Sequence, residues 1–249
     1  MHDSSILAGV AKLIDKALRL ENGWKYHEKR TWRSLSKEHP DFEVKAPIRK
    51  ILCQIELNWS QEESRSDENW RWKPNPQPKR TESEEVKLER WIVRTKGGDW
   101  VNQVPVASGL TRIASGRRAI DLVHRCGKGC YEFIELKIGA DNPLFAAMEI
   151  LQYGVLYIFS RENAVELGYD EKKKEILQAN CIHLKVLAPD AYYRGYDLTW
   201  VKKCINTGLT EFMARGNRGF TMDFKFDTLE SIGFPCKVGA DSPREMFQE

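Results

Sequence analysis

The stretch Ala119–Lys137, AIDLVHRCGKGCYEFIELK, constrains the fold more than any other part of the chain. Two largely apolar runs flank the turn signal Gly-Lys-Gly, and this pattern predicts two strands joined as an antiparallel hairpin. Charged side chains interrupt both runs at Asp121, Glu135 and Lys137. A hairpin carrying two carboxylates and an ammonium group on one face is suited to holding a divalent metal beside a hydrolytic water.

The predicted register brings the two carboxylates together. A turn centred on Lys128 pairs Cys126 with Cys130 and therefore Asp121 with Glu135. Directly opposed residues point to one face and lie within about 5.5 Å of each other. Because facing carboxylates repel unless a cation lies between them, the register predicts a Mg²⁺ site, for which oxygen ligands are preferred. The alternative is a structural charge cluster on a half-exposed sheet.

Lys137 adds an ammonium group to the same face, two residues after Glu135. The acid-x-Lys pattern by itself carries little information, because it occurs at several other positions of the chain. The copy at Glu135 differs in its surroundings, since the run YEFIELKI is more apolar than a surface strand. The context of the pattern therefore supports a site on the hairpin.

Composition limits the class of protein. The chain has 249 residues, of which 41% are hydrophobic and 30% charged, as expected for an ordinary folded protein. It has no run of about 18 consecutive apolar residues, and its first residues lack the features of a signal peptide. We therefore expect no membrane association, a cytoplasmic location and reduced cysteines, with a zinc site at Cys126 and Cys130 as a lesser alternative.

Helix and strand signals follow one another along the chain in an order that predicts an α/β sandwich. Helices are expected over Ser5–Leu20, Ser83–Val93, Asn142–Ser160 (with Asn142 as cap and Pro143 in the first turn) and Tyr196–Asn206; strands are expected over Trp100–Leu110, the hairpin, Asn180–Leu187 and Gly219–Leu229. Four regions are expected: an N-terminal accessory region (1–59), a linker or extended loop (60–81), a core domain (82–232) and a C-terminal tail (233–249).

Region 60–81 is rich in charge and proline and contains four basic and aromatic residues in succession, Trp70, Arg71, Trp72 and Lys73. Such a cluster can stack on bases and contact a nucleic-acid backbone. The alternative, which we favour, is that the tryptophans fix the loop onto its own domain. Arg117 and Arg118, directly before the first hairpin strand, are further candidate phosphate contacts.

The phrase FIELKIG, followed by a helix containing ILQYG, resembles the PD-(D/E)XK nuclease superfamily over roughly residues 82–187. Asp121 matches the first motif position, and Glu135 with Lys137 matches the second. The resemblance implies a restriction endonuclease-like αβββαβ core, in which helices flank a mixed central sheet, preceded here by an N-terminal helical or mixed extension. Ile120 stands where a proline often precedes the aspartate.

The resemblance also implies roles for individual residues. Asp121 and Glu135, with the backbone carbonyl of Leu136, would bind Mg²⁺ or Mn²⁺, and Lys137 would hold or help deprotonate the attacking water. Glu89, or else Glu85, corresponds to a glutamate on the first helix. Gln152 corresponds to a glutamine of the helix after the motif, although Tyr153 follows it directly instead of at the wider spacing usual in related exonucleases.

The expected function is metal-dependent hydrolysis of phosphodiester bonds, in DNA more than in RNA. The alternative is a catalytically silent nuclease-like module that binds nucleic acid or a partner protein. A homodimer is a possible assembly. Residues 1–80 are expected to serve substrate choice or self-association.

Overall fold

The structure is a computed structural model that describes residues 5–17, 45–75, 83–112, 118–139, 142–170, 174–216 and 218–234. Arg117, the predicted tail from residue 235 onward and the end of the predicted helix Ser5–Leu20 lie outside the described residues.

A five-stranded mixed sheet forms the centre of the molecule. Its strands are β1 (Trp100–Pro105), β2 (Ala119–Gly127), β3 (Cys130–Leu136), β4 (Cys181–Ala188) and β5 (Thr221–Thr228), and they lie in the order β1-β2-β3-β4-β5. The first three strands form an antiparallel meander, whereas β3, β4 and β5 run parallel to one another. The predicted α/β class with a mixed central sheet is therefore confirmed.

Helices cover both faces of the sheet. The described helices are α1 (Val10–Ala17), α2 (Lys45–Asn58), α3 (Glu84–Lys96), α4 (Pro143–Glu162), the short α5 (Asp190–Tyr193) and α6 (Thr199–Gly216). Apolar residues of α3, such as Leu88 and Ile92, pack with Ile134 and Leu136 on one face of β3. Residues of α4 pack with Tyr131 and Phe133 on the opposite face, as expected from the alternation of side chains along a strand.

The two helices nearest the hairpin begin where the sequence predicts. The Ser83 hydroxyl caps α3 by accepting from the Val86 N–H group at 3.3 Å. The Asn142 side chain caps α4 by accepting from the Phe145 N–H group at 2.8 Å, and Pro143 occupies the first turn. These caps fix the direction of each helix, because they satisfy N–H groups that have no partner within the helix.

The central helix α4 is more apolar than the composition of the whole chain suggests. By length and hydropathy alone it could cross a membrane, although 89% of its most apolar window is buried inside the protein. Glu149 and Gln152 interrupt its apolar residues, so the sequence has no run of about 18 consecutive apolar residues here either. The burial is that of a core helix, because α4 packs on the sheet and on α2.

The N-terminal region shares the core of the predicted core domain. Ile6, Val10 and Ile14 belong to the same hydrophobic cluster as residues of the sheet and α4, and so do Ile48 and Ile51 of α2. The predicted boundary at residues 59–60 therefore does not separate two hydrophobic cores.

The described part of the predicted linker also packs against the sheet. The Trp70 N–H group donates to the Pro105 carbonyl at 2.7 Å, and the Asn69 side chain donates to the Ser108 carbonyl at 2.8 Å. Residues 60–75 are thus an ordered strap along the end of β1, since local hydrogen bonds and burial hold them in place.

Candidate active site

The β2–β3 hairpin has the predicted register at the end that carries the charged residues. Leu122 lies opposite Ile134, and this pair ends the hydrogen-bonded ladder. One step further along, Asp121 and Glu135 come next to each other. The side chain of Asp121 joins the two strands here, because its Oδ2 accepts a hydrogen bond from the Leu136 N–H group at 2.9 Å.

The predicted pairing of Cys126 with Cys130 is wrong. Gly127 lies opposite Cys130 instead, and a β-bulge between Arg125 and Gly127 interrupts the ladder. The turn is tighter than predicted because Gly129 adopts a left-handed conformation with a φ of 71°. Cys126 is the extra residue of the bulge, and it restores the predicted register for the rest of the hairpin.

Lys137 connects the hairpin to α4. Its Nζ lies 2.8 Å from Glu135 Oε1 and 3.2 Å from Glu149 Oε2, and the side chains of Lys137 and Glu135 are almost completely buried. Burial lowers the pKa of Lys137, but Glu135 and Glu149 raise it by more, so its pKa ends above the ordinary value. The group is therefore held as an ammonium ion between two carboxylates.

Glu149 is a residue of this site that the sequence analysis missed. The signal for it was present, because Glu149 is an isolated acidic residue within the apolar run from Leu144 to Ser160. A carboxylate seldom lies on a buried helix without a partner. Its partner, Lys137, is visible only once α4 is placed over β3.

The helix α3 brings two more carboxylates to the hairpin. Glu89 is 1% exposed, and its Oε2 accepts from Gln103 Nε2 at 2.7 Å. Glu85 Oε1 accepts from the Ile138 N–H group at 3.3 Å. Glu85 and Glu89 were offered as alternatives, yet both reach the site, because residues four apart share one helix face.

The backbone of β1 is irregular beside Asp121. The β1–β2 ladder passes from Asn102 to Val104, and the intervening Gln103 has a left-handed φ of 51°. Such a conformation is uncommon for a residue other than glycine, and it is found preferentially at functional sites. It aims the Gln103 amide at Glu89, a contact that no sequence pattern indicates.

The acidic groups of the site resist ionisation. Burial raises the pKa of Asp121 to about 7, against opposing contributions from the Leu136 N–H group and the Lys137 ammonium. Burial also raises the pKa of Glu89 to about 9, with a further rise from the Asp121 carboxylate. The pKa of Glu135 is raised well above its ordinary value, first by burial and then by Asp121. Burial is the largest cause of all three shifts, and neighbouring negative charges add to it.

The donor set at this end of the sheet fits a hard divalent cation. Its carboxylates belong to Glu85, Glu89, Asp121, Glu135 and Glu149, and Lys137 offsets only part of their charge. Within the described residues, no group of three or more His, Cys, Asp or Glu side chains is arranged so that it could hold a metal ion. A Mg²⁺ site needs no such group, because this ion usually binds through one or two carboxylates, waters and substrate phosphates. Asp121 and Glu135 are the two carboxylates of the hairpin that could hold such an ion.

Gln152 and Arg118 line a pocket beside this cluster. The open pocket has a volume of about 120 Å³, and its walls are formed by Leu7, Ala11, Arg118, Phe145, Glu149, Gln152 and Tyr153. Gln152 Nε2 donates to the Met148 carbonyl of α4 at 3.0 Å, which keeps the side chain against its own helix. Arg118 Nη2 donates to Ser5 Oγ at 3.3 Å. Both predicted residues are thus close to Glu149 and, through it, to Lys137.

The four-residue cluster Trp70–Lys73 is not a continuous binding surface. Trp70 is 0% exposed and packs on Phe133 and Tyr157, so its ring cannot stack on a base and its predicted binding role is wrong. Trp72 packs on Tyr131 and lies under the Arg125 guanidinium. The alternative in which the tryptophans fix the loop onto its own domain is therefore the correct one.

The basic members of that cluster are paired with an acidic neighbour. Arg71 forms an ion pair with Glu68, and Lys73 Nζ lies 3.9 Å from Glu68 Oε2. Both side chains are about half exposed or more. A role for them in contacting phosphate stays a prediction.

The strand histidines lie away from the acidic site. His124 Nδ1 is 2.8 Å from Glu132 Oε2, and His183 Nδ1 is 2.9 Å from both carboxylate oxygens of Asp223. Their partners belong to the sheet face covered by α3, whereas Glu135 and Lys137 face α4. Neither histidine is placed to serve as an acid or base for the candidate site.

Comparison of the chain with protein-family models, with curated proteins and with solved structures gave no match.

Proposed function

We propose that the protein is a metal-dependent nuclease that hydrolyses phosphodiester bonds, in DNA in preference to RNA. The observation that carries this proposal is the arrangement at the end of β3, where Asp121 and Glu135 come together and Lys137 Nζ lies 2.8 Å from Glu135. Two carboxylates whose pKa values are raised by burial and by neighbouring acidic groups, next to an ammonium group, suit a site that takes up a cation and an anionic substrate together.

The order of elements supports the same proposal at the level of the fold family. From Glu84 to Ala188 the chain forms a helix, three antiparallel strands, a helix and a parallel strand. This is the αβββαβ order of the PD-(D/E)XK superfamily, with the aspartate on the second strand and the Glu-x-Lys motif on the third. We therefore propose a restriction endonuclease-like core for residues 82–232.

In this proposal Asp121, Glu135 and the Leu136 carbonyl hold Mg²⁺ or Mn²⁺, and Glu89 lies behind Asp121. When bound, the metal supplies a Lewis acid for the phosphate and lowers the pKa of a water ligand. Glu89 is tied to Gln103, so it can orient a water or a second cation without leaving α3.

Lys137 would act on the substrate through its own ammonium group and not through a bound metal. Hydrolysis forms a bond between a water oxygen and phosphorus and breaks one P–O ester bond, and negative charge grows on the phosphate oxygens. An ammonium group already fixed by Glu135 and Glu149 can donate to such an oxygen with little reorganisation. Glu149 is therefore a positioning residue in this proposal, because it acts through Lys137.

The test is a cleavage assay with single-stranded, double-stranded and branched DNA and with RNA, each in Mg²⁺, in Mn²⁺ and in chelator. We expect metal-dependent cleavage that is lost in Asp121→Asn and in Lys137→Ala, with thermal unfolding still cooperative. Asp223→Asn is the matched control, since it makes the same change at an exposed strand aspartate. Activity that survives Asp121→Asn would contradict the proposed site.

A wild-type protein that binds nucleic acid and cuts none of these substrates in either metal would support the silent module. The buried, mutually repelling carboxylates favour the enzyme, because a surface that only binds nucleic acid gains nothing from them.

A further inference from the structure

The pocket beside Lys137 has a composition suited to one nucleotide. Arg118 supplies a cation, Tyr153 supplies a hydroxyl group, and Leu7 and Phe145 supply apolar surface. The pocket adjoins the candidate active site, because Glu149 lies in its wall and contacts Lys137 at 3.2 Å, and because Lys137 Nζ is 5.6 Å from the centre of the Phe145 ring. A ligand in the pocket would therefore be next to the proposed reacting groups.

Tyr153 contributes a hydroxyl-bearing side chain to the wall of the pocket. The residue as a whole is 6% exposed, and it lines the open pocket together with Glu149 and Arg118. Its surroundings include the carboxylates of Glu135 and Glu149, which raise its pKa beyond the rise that burial causes, and the Arg118 guanidinium, which lowers it. A tyrosine that borders a pocket combines an apolar ring with a hydroxyl group that can exchange a hydrogen bond with a ligand there.

The N-terminal segment closes the pocket on the side away from α4. The Asn58 side chain of α2 donates to the Ile6 carbonyl at 2.8 Å and to the Ala8 carbonyl at 2.9 Å. This clamp fixes the turn that carries Leu7 and the start of α1, which carries Ala11. Residues far from the hairpin in sequence thus set the width of the pocket.

The size of the pocket limits what can enter. Its volume of about 120 Å³ is close to that of a cavity of about 150 Å³ known to hold a benzene molecule. A single pyrimidine ring is of this size, whereas a base pair is far larger. In a duplex the base would have to leave the stack at a cost of a few kcal/mol, a cost that is least for an unpaired strand.

We propose that this pocket holds an unpaired nucleotide next to the scissile phosphate, so that the protein acts on single-stranded DNA in preference to duplex. This inference rests on the proposed nuclease function. The base packs on Leu7 and Phe145, Tyr153 hydrogen-bonds the base edge or sugar, and Arg118 contacts the neighbouring phosphate. The N-terminal region then serves substrate selection, because it supplies the wall of the pocket opposite α4.

The first measurement compares the cleavage rates of a 30-nucleotide strand and of the same labelled strand annealed into a blunt duplex. We expect the single strand to be cut at least tenfold faster. Equal rates, or faster cutting of the duplex, would overturn the pocket inference and leave the nuclease proposal standing.

The second measurement fills the pocket. Ala11→Phe adds a ring at the pocket wall on an exposed position of α1, and Lys12→Phe adds the same ring one residue further on, outside that wall. We expect Ala11→Phe to reduce single-strand cleavage at least tenfold and Lys12→Phe to reduce it less, although the second change also removes a positive charge. Equal effects of the two variants would contradict the inference.

Binding separates the two proposals if no cleavage occurs. In the Asp121→Asn background, the dissociation constant of a fluorescent single-stranded 12-mer should rise at least tenfold with Ala11→Phe and little with Lys12→Phe. Tyr153→Phe, which removes only the hydroxyl group, should raise it about two- to tenfold, as for one lost hydrogen bond. Selective loss of binding in a protein that never cuts would support the pocket and reject the nuclease; no binding by the parent protein would reject both.

Discussion

Two charge clusters lie on the same strand, β3, and differ in their balance. Glu132 and Glu135 are three residues apart, so their side chains point to opposite faces of the sheet. Glu132 belongs to a quartet with Lys185, Lys225 and Asp227, in which Lys185 Nζ lies 2.8 Å from Glu132 and 3.1 Å from Asp227. Lys225 completes it at 3.1 Å from Glu132 and 3.7 Å from Asp227.

The quartet neutralises itself, whereas the cluster at Glu135 does not. Burial raises the pKa of Glu132, but hydrogen bonds from His124 and Lys185 lower it by more, so the net shift is downward. The pKa of Glu135 shifts upward instead, because Asp121 and Glu149 add to the effect of burial and Lys137 offsets only part of it. Similar residues on one strand therefore form a satisfied ion network on one face and an unsatisfied acidic site on the other.

The contrast in charge balance between the two clusters indicates which buried charges suggest function. A carboxylate matched by lysines is explained by the fold alone, since the pairing offsets the cost of burial. Carboxylates that repel one another remain unexplained until a cation joins them. We therefore expect substitutions in the two clusters to differ in their effects on activity, stability, pH dependence and Mg²⁺ binding.

Asp121→Asn should have the largest effect. We expect kcat/KM for cleavage to fall by about 10⁴-fold, equal to about 5.4 kcal/mol, because an amide cannot act as an anionic metal ligand. The substitution keeps the shape of the side chain and an oxygen acceptor for the Leu136 N–H group. Glu132→Gln removes a charge from the quartet and should leave kcat/KM of the folded protein nearly unchanged. Equal losses in the two variants would abolish the functional distinction between the clusters.

Lys185→Ala should have the largest effect on stability. It removes the buried one of the two lysines that bridge Glu132 and Asp227 and leaves only the more exposed Lys225, which we expect to lower the free energy of unfolding by about 3 kcal/mol. Lys137→Ala should lower the free energy of unfolding by less, because Glu135 has a raised pKa and can become neutral by binding a proton. Urea denaturation of the two variants gives the comparison, and a larger loss from Lys137→Ala would contradict it.

The two clusters should respond to pH with opposite sign in chelator. Asp121 has its pKa raised from 3.8 to about 7, so its contribution to stability is complete below pH 4 and is lost as the pH rises toward 7. The free energy of unfolding of Asp121→Asn, relative to that of the wild type, should therefore rise by about 1.4 kcal/mol for each pH unit within that window.

The pKa of Glu132 is lowered from 4.5, so its contribution is present above that pH and is lost as the pH falls. The wild type should accordingly be more stable than Glu132→Gln at neutral pH, and this difference in the free energy of unfolding should shrink as the pH falls. Free energies of unfolding measured between pH 3 and pH 8 test both signs, and parallel curves for the two variants would be inconsistent with the charge balance described here.

Added Mg²⁺ should have the smallest effect and should act on one cluster alone. At ten times its dissociation constant, a ligand that binds only the folded state adds about 1.4 kcal/mol to the free energy of unfolding. We expect the corresponding rise in melting temperature, about 3–6 °C, in the wild type and in Glu132→Gln. Glu135→Gln should show little or none. A rise that persists in Glu135→Gln would place the cation elsewhere.

Local chemistry determined much of the fold in advance. The cap at Asn142 and the start of the helix at Ser83 were predicted correctly, because each is set by a few adjacent residues. The register of the charged end of the hairpin was predicted for a similar reason, although the bulge at Cys126 was not. That bulge results from a left-handed glycine in the turn, and sequence spacing does not distinguish it from a three-residue turn.

The α/β class and the position of Asp121, Glu135 and Lys137 at one end of the hairpin follow from the sequence alone, since strand alternation and turn position are local properties. The contact of Glu149 with Lys137, the approach of both Glu85 and Glu89 to the hairpin and the burial of Trp70 depend on tertiary packing. The same holds for the pocket wall that the N-terminal segment forms. These contacts depend on how helices and loops pack over the sheet, and side-chain periodicity shows that a face is buried without showing what covers it.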